Sequence, residues 1–212
     1  MTTHDTPLTE LLRPQELSEL TLPEREIERL QRMLNAHNPM SMLFYGPPGM
    51  GKTSAARIFV KARGDFDTYE VNGSLETGID TVRSSIERFA STLSFTEGPK
   101  LCFIDEAEYL SKNAQASMRG VIERFSNTCR FLLTVNDIGK IMPAIRSRLV
   151  CISFAIDAVS GPSIIARMQK RLSTKLEACG VRFDPERLND IVAMYFPDFR
   201  SIVNRLEFEF IV

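Results

Sequence analysis

Histidine, cysteine and tryptophan are scarce in this sequence. Its 212 residues include two histidines, four cysteines and no tryptophan. The cysteines, at positions 102, 129, 151 and 179, are too far apart for a CxxC pair, and neither histidine lies beside one of them. This spacing argues against a zinc site and against a disulfide framework. We therefore expect free thiols, which indicates a reducing compartment such as the cytosol.

Long apolar runs and an excess of one charge are missing as well. The sequence has no run of the roughly 18 apolar residues that a membrane helix needs, and its first residues, MTTHDTPLTELLRP, lack the apolar segment of a signal peptide. We therefore expect a cytoplasmic protein without a membrane partner. The 26 basic and 27 acidic residues give a net charge of −1. Any contact with nucleic acid would require a local basic patch or several assembled copies.

The apolar segments alternate between two periodicities. Strands are predicted at MSMLFY, DTYEV, KLCFID, CRFLLTVN and LVCISF, and helical spacing is found in EREIERLQRMLNA, KTSAARIFVKAR, GIDTVRSSIERFASTL and KNAQASMRGVIERF. Parallel strands need long crossover connections, and helices usually provide them. The alternation therefore predicts an α/β fold with a five-stranded parallel sheet covered on both faces.

The strand pattern stops near residue 157. Beyond it, three helices are predicted at 162–178, 185–195 and 198–210, separated by the breakers CGVRFDP and FPD. We predict a core domain over residues 1–157 and a small three-helix domain over residues 158–212.

The clearest chemical motif is GPPGMGKT, which matches GxxxxGK[ST] between a predicted strand and a predicted helix. In such a loop the backbone amides and the helix N-terminus face phosphates, Lys52 supplies a mobile charge, and Thr53 offers a hydroxyl to Mg²⁺. A simple Gly-Pro turn, the alternative, would not require the lysine or the threonine. We predict a nucleotide site formed by Gly46, Pro47, Pro48, Gly49, Met50, Gly51, Lys52, Thr53 and Ser54.

A second motif, LCFIDEAE, follows a hydrophobic strand. Asp105 is expected at the carboxyl edge of the sheet, where it can hold Mg²⁺ together with Thr53. Glu106 comes directly after it and can orient or deprotonate an attacking water, which is typical of an enzyme that hydrolyses its nucleotide. The alternative for Glu106 is a solvated loop carboxylate.

Together these motifs resemble those of the AAA+ ATPases, in which such a core is followed by a small helical lid. Segments 71–83, 110–136, 144–149 (AIRSRL) and 196–207 (FPDFRSIVNRLE) further resemble, in this order, motifs of clamp-loader ATPase subunits of the replication factor C type and their phage counterparts. The resemblance implies ATP and Mg²⁺ as bound groups. It implies other AAA+ subunits, as in a pentamer, a sliding clamp and primer-template DNA as partners.

Three further nucleotide contacts are implied by the resemblance. Asn136 matches the sensor residue between the acidic pair and the γ-phosphate. Arg200 matches the lid arginine that reaches the nucleotide of its own subunit, with a solvated surface arginine as the alternative. Leu12, Arg13 and Pro14 match the segment that packs over adenine, although Leu12 replaces the family's aromatic residue. ATP is expected because no guanine-reading NKxD motif occurs.

The pair of arginines in AIRSRL is assigned in the same way. Arg148 matches the family's arginine finger, which inserts into a neighbouring subunit's active site and stabilises charge on the γ-phosphate. A planar, permanently charged guanidinium suits this role better than an amine does. Arg146 is the second candidate, and an arginine pair that caps the preceding short helix is the alternative to both.

Contacts with DNA and the clamp are implied less directly. Lys112 and Arg83 lie near helix starts that touch template phosphates in clamp loaders, with simple solvated charges as the alternative. Phe95 is the candidate for insertion into the clamp, whereas the helical spacing of Phe89 and Leu93 places both in the core.

The expected function is that of an Mg-dependent ATPase subunit of a sliding-clamp loader in DNA replication, with an active site completed in trans. Two alternatives remain: a nucleotide-switched AAA+ adaptor such as a helicase loader, and a P-loop enzyme acting on a small metabolite. The sequence has no room for the collar domain of clamp-loader subunits, so we expect either a truncated chain or a short relative that assembles differently.

Overall fold

A five-stranded parallel sheet forms the centre of the molecule. The structure is a computed structural model that describes residues 6–74, 79–94, 96 and 98–211. Its strands are β1 Met42–Tyr45, β2 Thr68–Asn72, β3 Lys100–Asp105, β4 Cys129–Val135 and β5 Val150–Ser153. They lie in the order β2-β3-β4-β1-β5, and each neighbouring pair is parallel. This confirms the predicted α/β fold.

Helices cover both faces of the sheet. On one face lie α2 Glu24–Asn35 and α3 Lys52–Ala62, and on the other lie α4 Ile79–Ser91 and α5 Lys112–Arg124. Successive strand residues point to opposite faces, so Phe103 packs in the first core while its neighbours Cys102 and Ile104 pack in the second. Both faces are buried, which is why the central strands appear in the sequence as continuous apolar runs.

Three helices follow the sheet and form a small bundle with its own apolar core. They are α7 Gly161–Ala178, α8 Pro185–Tyr195 and α9 Phe199–Phe210, each within one residue of the predicted bounds. Asp184 caps α8 by accepting from the Glu186 N–H at 3.0 Å, and Asp198 caps α9 by accepting from the Ser201 N–H at 3.1 Å.

The N-terminal segment packs on this helical bundle. Its short helix α1, Leu8–Leu11, donates a backbone N–H from Leu8 to Glu207 Oε1 at 3.1 Å. Leu8 and Leu12 are both fully buried in the apolar cluster of α7, α8 and α9. The segment predicted to cover adenine is therefore attached to the lid helices as well as to the core.

Basic side chains of α7 bind residues 12–20, the part of the N-terminal segment that follows α1. Arg171 donates to the carbonyl of Leu12 at 2.6 Å and to that of Glu19, and Lys175 pairs with the Glu19 carboxylate at 2.7 Å. Arg167 donates to the carbonyl of Leu20 at 3.3 Å. These residues recur at every fourth position of α7, so they lie on one face of the helix.

The end of α4 differs from the expectation for its apolar residues. Phe89 packs against the core and stacks on Tyr69, with ring centroids 5.3 Å apart. Leu93 is 89% exposed, so its predicted core position is wrong. The reason is that α4 ends at Ser91, where Lys100 Nζ caps the final carbonyls of Phe89 and Thr92, and the helical spacing no longer applies. Phe95 lies outside the described residues.

None of the helices within the described ranges is long and apolar enough to cross a membrane.

Candidate active site

The loop of the GPPGMGKT motif joins β1 to α3. Three of its residues, Gly46, Gly49 and Gly51, have positive φ angles of 144°, 76° and 84°, and α3 begins at Lys52. Side chains other than glycine rarely adopt these backbone angles. The buried Met50 packs into the core beneath the loop. The loop thus carries the N-terminus of α3 at the carboxyl edge of the sheet, where anions bind.

Lys52 is held by its own loop. Its Nζ donates to the carbonyls of Gly46 and Pro47, both at 2.7 Å, and the residue is only 7% exposed. Burial lowers the pKa of Lys52 to about 8, although the carboxylates of Glu108, Asp105 and Glu106 act in the opposite direction. The ammonium is therefore poised to exchange two carbonyl acceptors for phosphate oxygens.

Gly49 is also the point at which the loop meets the lid. The Phe199 N–H donates to the Gly49 carbonyl at 3.1 Å, and a Cβ placed on Gly49 would lie 1.9 Å from Asp198 Oδ1. A side chain at this position would displace the Asp198 carboxylate, which caps α9. Glycine at this position thus serves both the phosphate loop and the close approach of the lid helix.

Thr53 and Asp105 form a pair of oxygens suited to Mg²⁺. Thr53 Oγ1 donates to Asp105 Oδ1 at 2.9 Å. Adjacent ligands of an octahedral Mg²⁺ ion would be a similar distance of about 3 Å apart, since each lies at about 2.1 Å from the ion. Within the described residues no group of three or more His, Cys, Asp or Glu side chains could hold a metal by itself. Phosphate oxygens and water would have to complete the coordination, as is usual for Mg²⁺ with nucleotides.

Glu106 has an unusual backbone conformation. Its φ of 55° lies in the left-handed region, and among the described residues it is the only one other than glycine with a positive φ. Such a conformation is costly and is found preferentially at functional sites. The Glu106 N–H donates to Thr134 Oγ1 at 3.0 Å, and Thr134 in turn donates to Asp105 Oδ1. The turn therefore holds Glu106 next to the Thr53–Asp105 pair.

Asn136 is the first residue after β4, the strand that pairs with β3, and lies two residues beyond Thr134. Its backbone N–H donates to Glu108 Oε1 at 2.9 Å. Glu108 is 9% exposed, and its second oxygen, Oε2, has no hydrogen-bond partner among the described residues. The sequence motifs indicate Asn136 but not Thr134 or Glu108. The acidic residue three places after Asp105 was the available signal for Glu108, whereas a threonine inside an apolar strand gave little indication of its role.

A cavity of about 410 Å³ brings most of these groups together. Its lining residues include Pro48, Gly49, Gly51, Lys52, Thr53, Ser54, Asp105, Glu106, Glu108, Asn136, Arg13, Pro14 and Arg200. Gly46 and Pro47 contribute the carbonyls that hold Lys52. Arg200 is exposed at the start of α9, and its charge acts to lower the pKa of Lys52. The volume falls within the range of pockets that bind small molecules.

Leu12 is not brought to this cavity. Its side chain is fully buried in the apolar cluster of the lid, while Arg13 and Pro14 line the cavity. The physical reason is that leucine, unlike an aromatic residue over a base, gains most from complete burial among aliphatic side chains. The prediction that the Leu12 side chain contacts the nucleotide is therefore wrong. Leu12 instead anchors the N-terminal segment in the lid.

Arg148 lies outside the cavity, two residues after the short helix α6, Pro143–Arg146. Its guanidinium pairs with Glu123 Oε2 of α5 at 3.0 Å and donates to the Ala144 carbonyl at 2.6 Å. Its side chain is 27% exposed. Arg146 is half-buried, and its Nε has no partner among the described residues. Neither arginine reaches the cavity of its own chain.

The residues considered for DNA contact are placed only in part. Lys112 is exposed at the first position of α5, which Ser111 caps by accepting from the Ala114 N–H at 3.2 Å. The side chain of Arg83 lies outside what the structure describes.

The comparisons with curated proteins find replication factor C subunits. The chain is 36% identical over 205 residues to the replication factor C small subunit of Archaeoglobus fulgidus, covering 93% of this chain and 62% of that protein. It is 35% identical over 209 residues to replication factor C subunit 5 of Arabidopsis thaliana and 34% identical over 207 residues to that of Homo sapiens, covering 95% of this chain in both cases. It spans 55% and 59% of those two proteins.

Solved structures with a similar fold include a branch migration motor. The RuvB Holliday junction branch migration motor of Thermotoga maritima superimposes with a TM-score of 0.70 at 20% identity, covering 92% of this chain and 63% of that one. At this level of identity the similarity shows the fold alone.

The family model described as "ATPase family associated with various cellular activities (AAA)" matches residues 42–155, which contain all five strands, the phosphate loop, the acidic pair and Asn136. The chain therefore belongs to the AAA family of ATPases.

Proposed function

We propose that this chain is an ATP-hydrolysing subunit of a DNA polymerase sliding-clamp loader. The observation that carries the proposal is the arrangement of two half-sites. One cavity collects Lys52, the Thr53–Asp105 pair, Glu106 and Asn136, while Arg148 lies outside it. Such a division suits a ring or spiral in which each subunit completes the site of its neighbour.

The residues of the cavity divide the work of phosphoryl transfer. The loop amides and Lys52 bind the β- and γ-phosphates, and Thr53 and Asp105 would hold Mg²⁺, which would supply positive charge to those phosphates. Glu106 orients the attacking water and accepts its proton, and the neutral amide of Asn136 donates to the γ-phosphate or to that water. Arg200 links the lid to the nucleotide, so the lid angle depends on whether ATP or ADP is bound.

The arginine finger acts in trans in this proposal. To reach a neighbouring nucleotide, Arg148 must exchange Glu123 for phosphate oxygens. The exposed Glu123 pair is a weak competitor, since surface ion pairs contribute about 0–1 kcal/mol. A finger, by contrast, accelerates hydrolysis by about a thousandfold or more. Other AAA subunits are therefore partners, and a pentamer is the assembly that we propose.

Primer-template DNA and a sliding clamp are the other proposed partners. Lys112 and the N-terminus of α5 suit phosphate contacts. Phe95 stays a candidate for clamp contact, and Leu93, which is 89% exposed two residues after α4, is a second candidate. The chain would act where DNA is replicated, in the cytoplasm of a bacterial or archaeal cell or a phage host, or in a eukaryotic nucleus. All four cysteines carry free thiols, which suits these reducing compartments.

The relatives support a clamp loader over the alternative of a nucleotide-switched adaptor, because those named here are replication factor C subunits. The chain spans 55–62% of their length, and the test uses it together with the companion subunits of its own source.

Stimulation of ATP turnover by clamp and primed DNA tests this function. With both present, the assembled protein should hydrolyse ATP faster than with either alone. Leu93→Ser should abolish the stimulation by the clamp and keep the stimulation by DNA. Met194→Ser, which alters an exposed apolar residue on α8, is the matched control and should keep both. Equal turnover with and without clamp and DNA would contradict the proposal.

A further inference from the structure

Glu108 is a buried carboxylate with a specific place in the cavity. It lies in a short turn, Ala107–Tyr109, directly after Glu106, and its residue is 9% exposed. It lines the same cavity as Lys52, Asp105 and Asn136. Carboxylates are seldom buried to this extent unless they have a partner, and burial without one is costly.

The two oxygens of Glu108 have different surroundings. Oε1 accepts the backbone N–H of Asn136 at 2.9 Å. Oε2 is buried and has no hydrogen-bond partner among the described residues. Only one oxygen therefore makes a hydrogen bond within the described residues, and that bond holds the first residue after β4.

Asn136 needs such support because the ladder of the sheet ends before it. The registered pairs of β4 end at Ile104 with Leu133 on one side and at Tyr45 with Val135 on the other. The Asn136 backbone thus depends on the Glu108 side chain for its N–H acceptor. A shift of about an ångström in a catalytic group can reduce a rate by about a hundredfold.

We infer that Glu108 is a positioning residue of the ATPase site: its Oε1 fixes the backbone of Asn136 and thereby aims the Asn136 amide at the γ-phosphate. The inference rests on the proposed role of Asn136 in hydrolysis. Glu108 itself touches neither the nucleotide nor the reacting water in this scheme.

The test uses two substitutions of similar size that both remove the charge. Glu108→Gln keeps an oxygen that can accept the Asn136 N–H, and its amide nitrogen replaces an oxygen without a partner. Glu108→Met fills the same space and offers no such acceptor. Any difference between the two variants therefore reports the hydrogen bond rather than the charge or the volume. Glu28→Ala, an exposed carboxylate of α2, is the control for surface charge.

The first readout is independent of activity. Amide hydrogen exchange of Asn136, measured by NMR on the full chain without nucleotide, should be faster in Glu108→Met by about tenfold or more and close to wild type in Glu108→Gln. Equal Asn136 exchange rates in the two variants would overturn the inference. This readout remains informative even if the chain proves not to be a clamp-loader subunit.

The second readout is kcat in the assembled protein with clamp and primed DNA. Glu108→Met should lower kcat by about tenfold or more relative to Glu108→Gln, with little change in the Kd for ATP. In an Asn136→Ala background the two variants should have the same kcat, because the positioned side chain is gone. A tenfold difference that persists in that background would overturn the inference. Absence of ATP turnover in the wild-type assembly would instead refute the proposed function.

Discussion

Gln115 makes three hydrogen bonds to backbone groups, so its replacement should be costly. The side chain lies on the inner face of α5 and is 3% exposed. Its Nε2 donates to the carbonyls of Leu110 and Lys140, both at 3.1 Å, and its Oε1 accepts the Met142 N–H at 2.9 Å. These bonds join α5 to the chain that precedes α6 and Arg148.

The perturbation is Gln115→Met, which keeps the length of the side chain and removes all three bonds. Each bond contributes about 1 kcal/mol net, and three backbone groups would lose their partners. The more apolar methionine offsets part of this loss, so we expect the free energy of unfolding to fall by about 3 kcal/mol. For a domain of this size that corresponds to a decrease in Tm of roughly 6–12 °C.

Urea denaturation at equilibrium, followed by circular dichroism, measures this change. The midpoint should shift while the slope m stays the same, because the surface exposed on unfolding is unchanged. Gln31→Met, at an exposed position of α2, is the matched control and should change stability by less than about 0.5 kcal/mol. A Gln115→Met variant within about 1 kcal/mol of wild type would refute the reasoning.

Three further predictions concern single residues. Asp198→Ala removes the cap of α9 and should lower stability in urea by about 1 kcal/mol, whereas Asp198→Asn should recover most of it; equal losses would contradict the capping role. Gly120→Ala, in the middle of α5 where an added Cβ meets nothing, should raise the stability of the single chain by about 0.5–1 kcal/mol, and a decrease would show a hidden steric conflict. Burial lowers the pKa of Lys52 to about 8, and bound phosphates favour its charged form, so ATP binding takes up a proton at higher pH. The ATP affinity measured by titration calorimetry should therefore fall by about tenfold from pH 7 to pH 9, and a constant affinity would contradict the lowered pKa.

Much of the core could be predicted because local signals and tertiary structure agree there. The apolar runs of β3 and β4 are buried on both faces, and the helical periodicity of α7 and α8 matches their packing on one face each. The phosphate loop could be predicted because its chemistry depends on residue types at fixed spacing. Asp105 and Thr53 lie together because the sheet order places β3 near the start of α3.

The sequence predictions that fail concern residues whose positions depend on packing against distant parts of the chain. Leu12 belongs to the lid, which is distant in sequence, and no local pattern indicated that α1 would pack on α9. Leu93 fitted the helical period, but Lys100 folds back onto the helix end and leaves the leucine in solvent. Glu108 and Thr134 were missed because their roles depend on hydrogen bonds across neighbouring strand ends.

Complementation of two inactive variants tests the central claim most directly. Lys52→Ala loses the phosphate contact but keeps Arg148. Arg148→Ala keeps an intact cavity but cannot supply an arginine to the active site of its neighbour. We predict that each variant alone is nearly inactive as an ATPase, that wild-type turnover per chain rises with protein concentration, and that mixing the variants restores a measurable part of it. An unchanged rate in Arg148→Ala alone, or a mixture no more active than its components under conditions where wild type assembles, would contradict the shared active site.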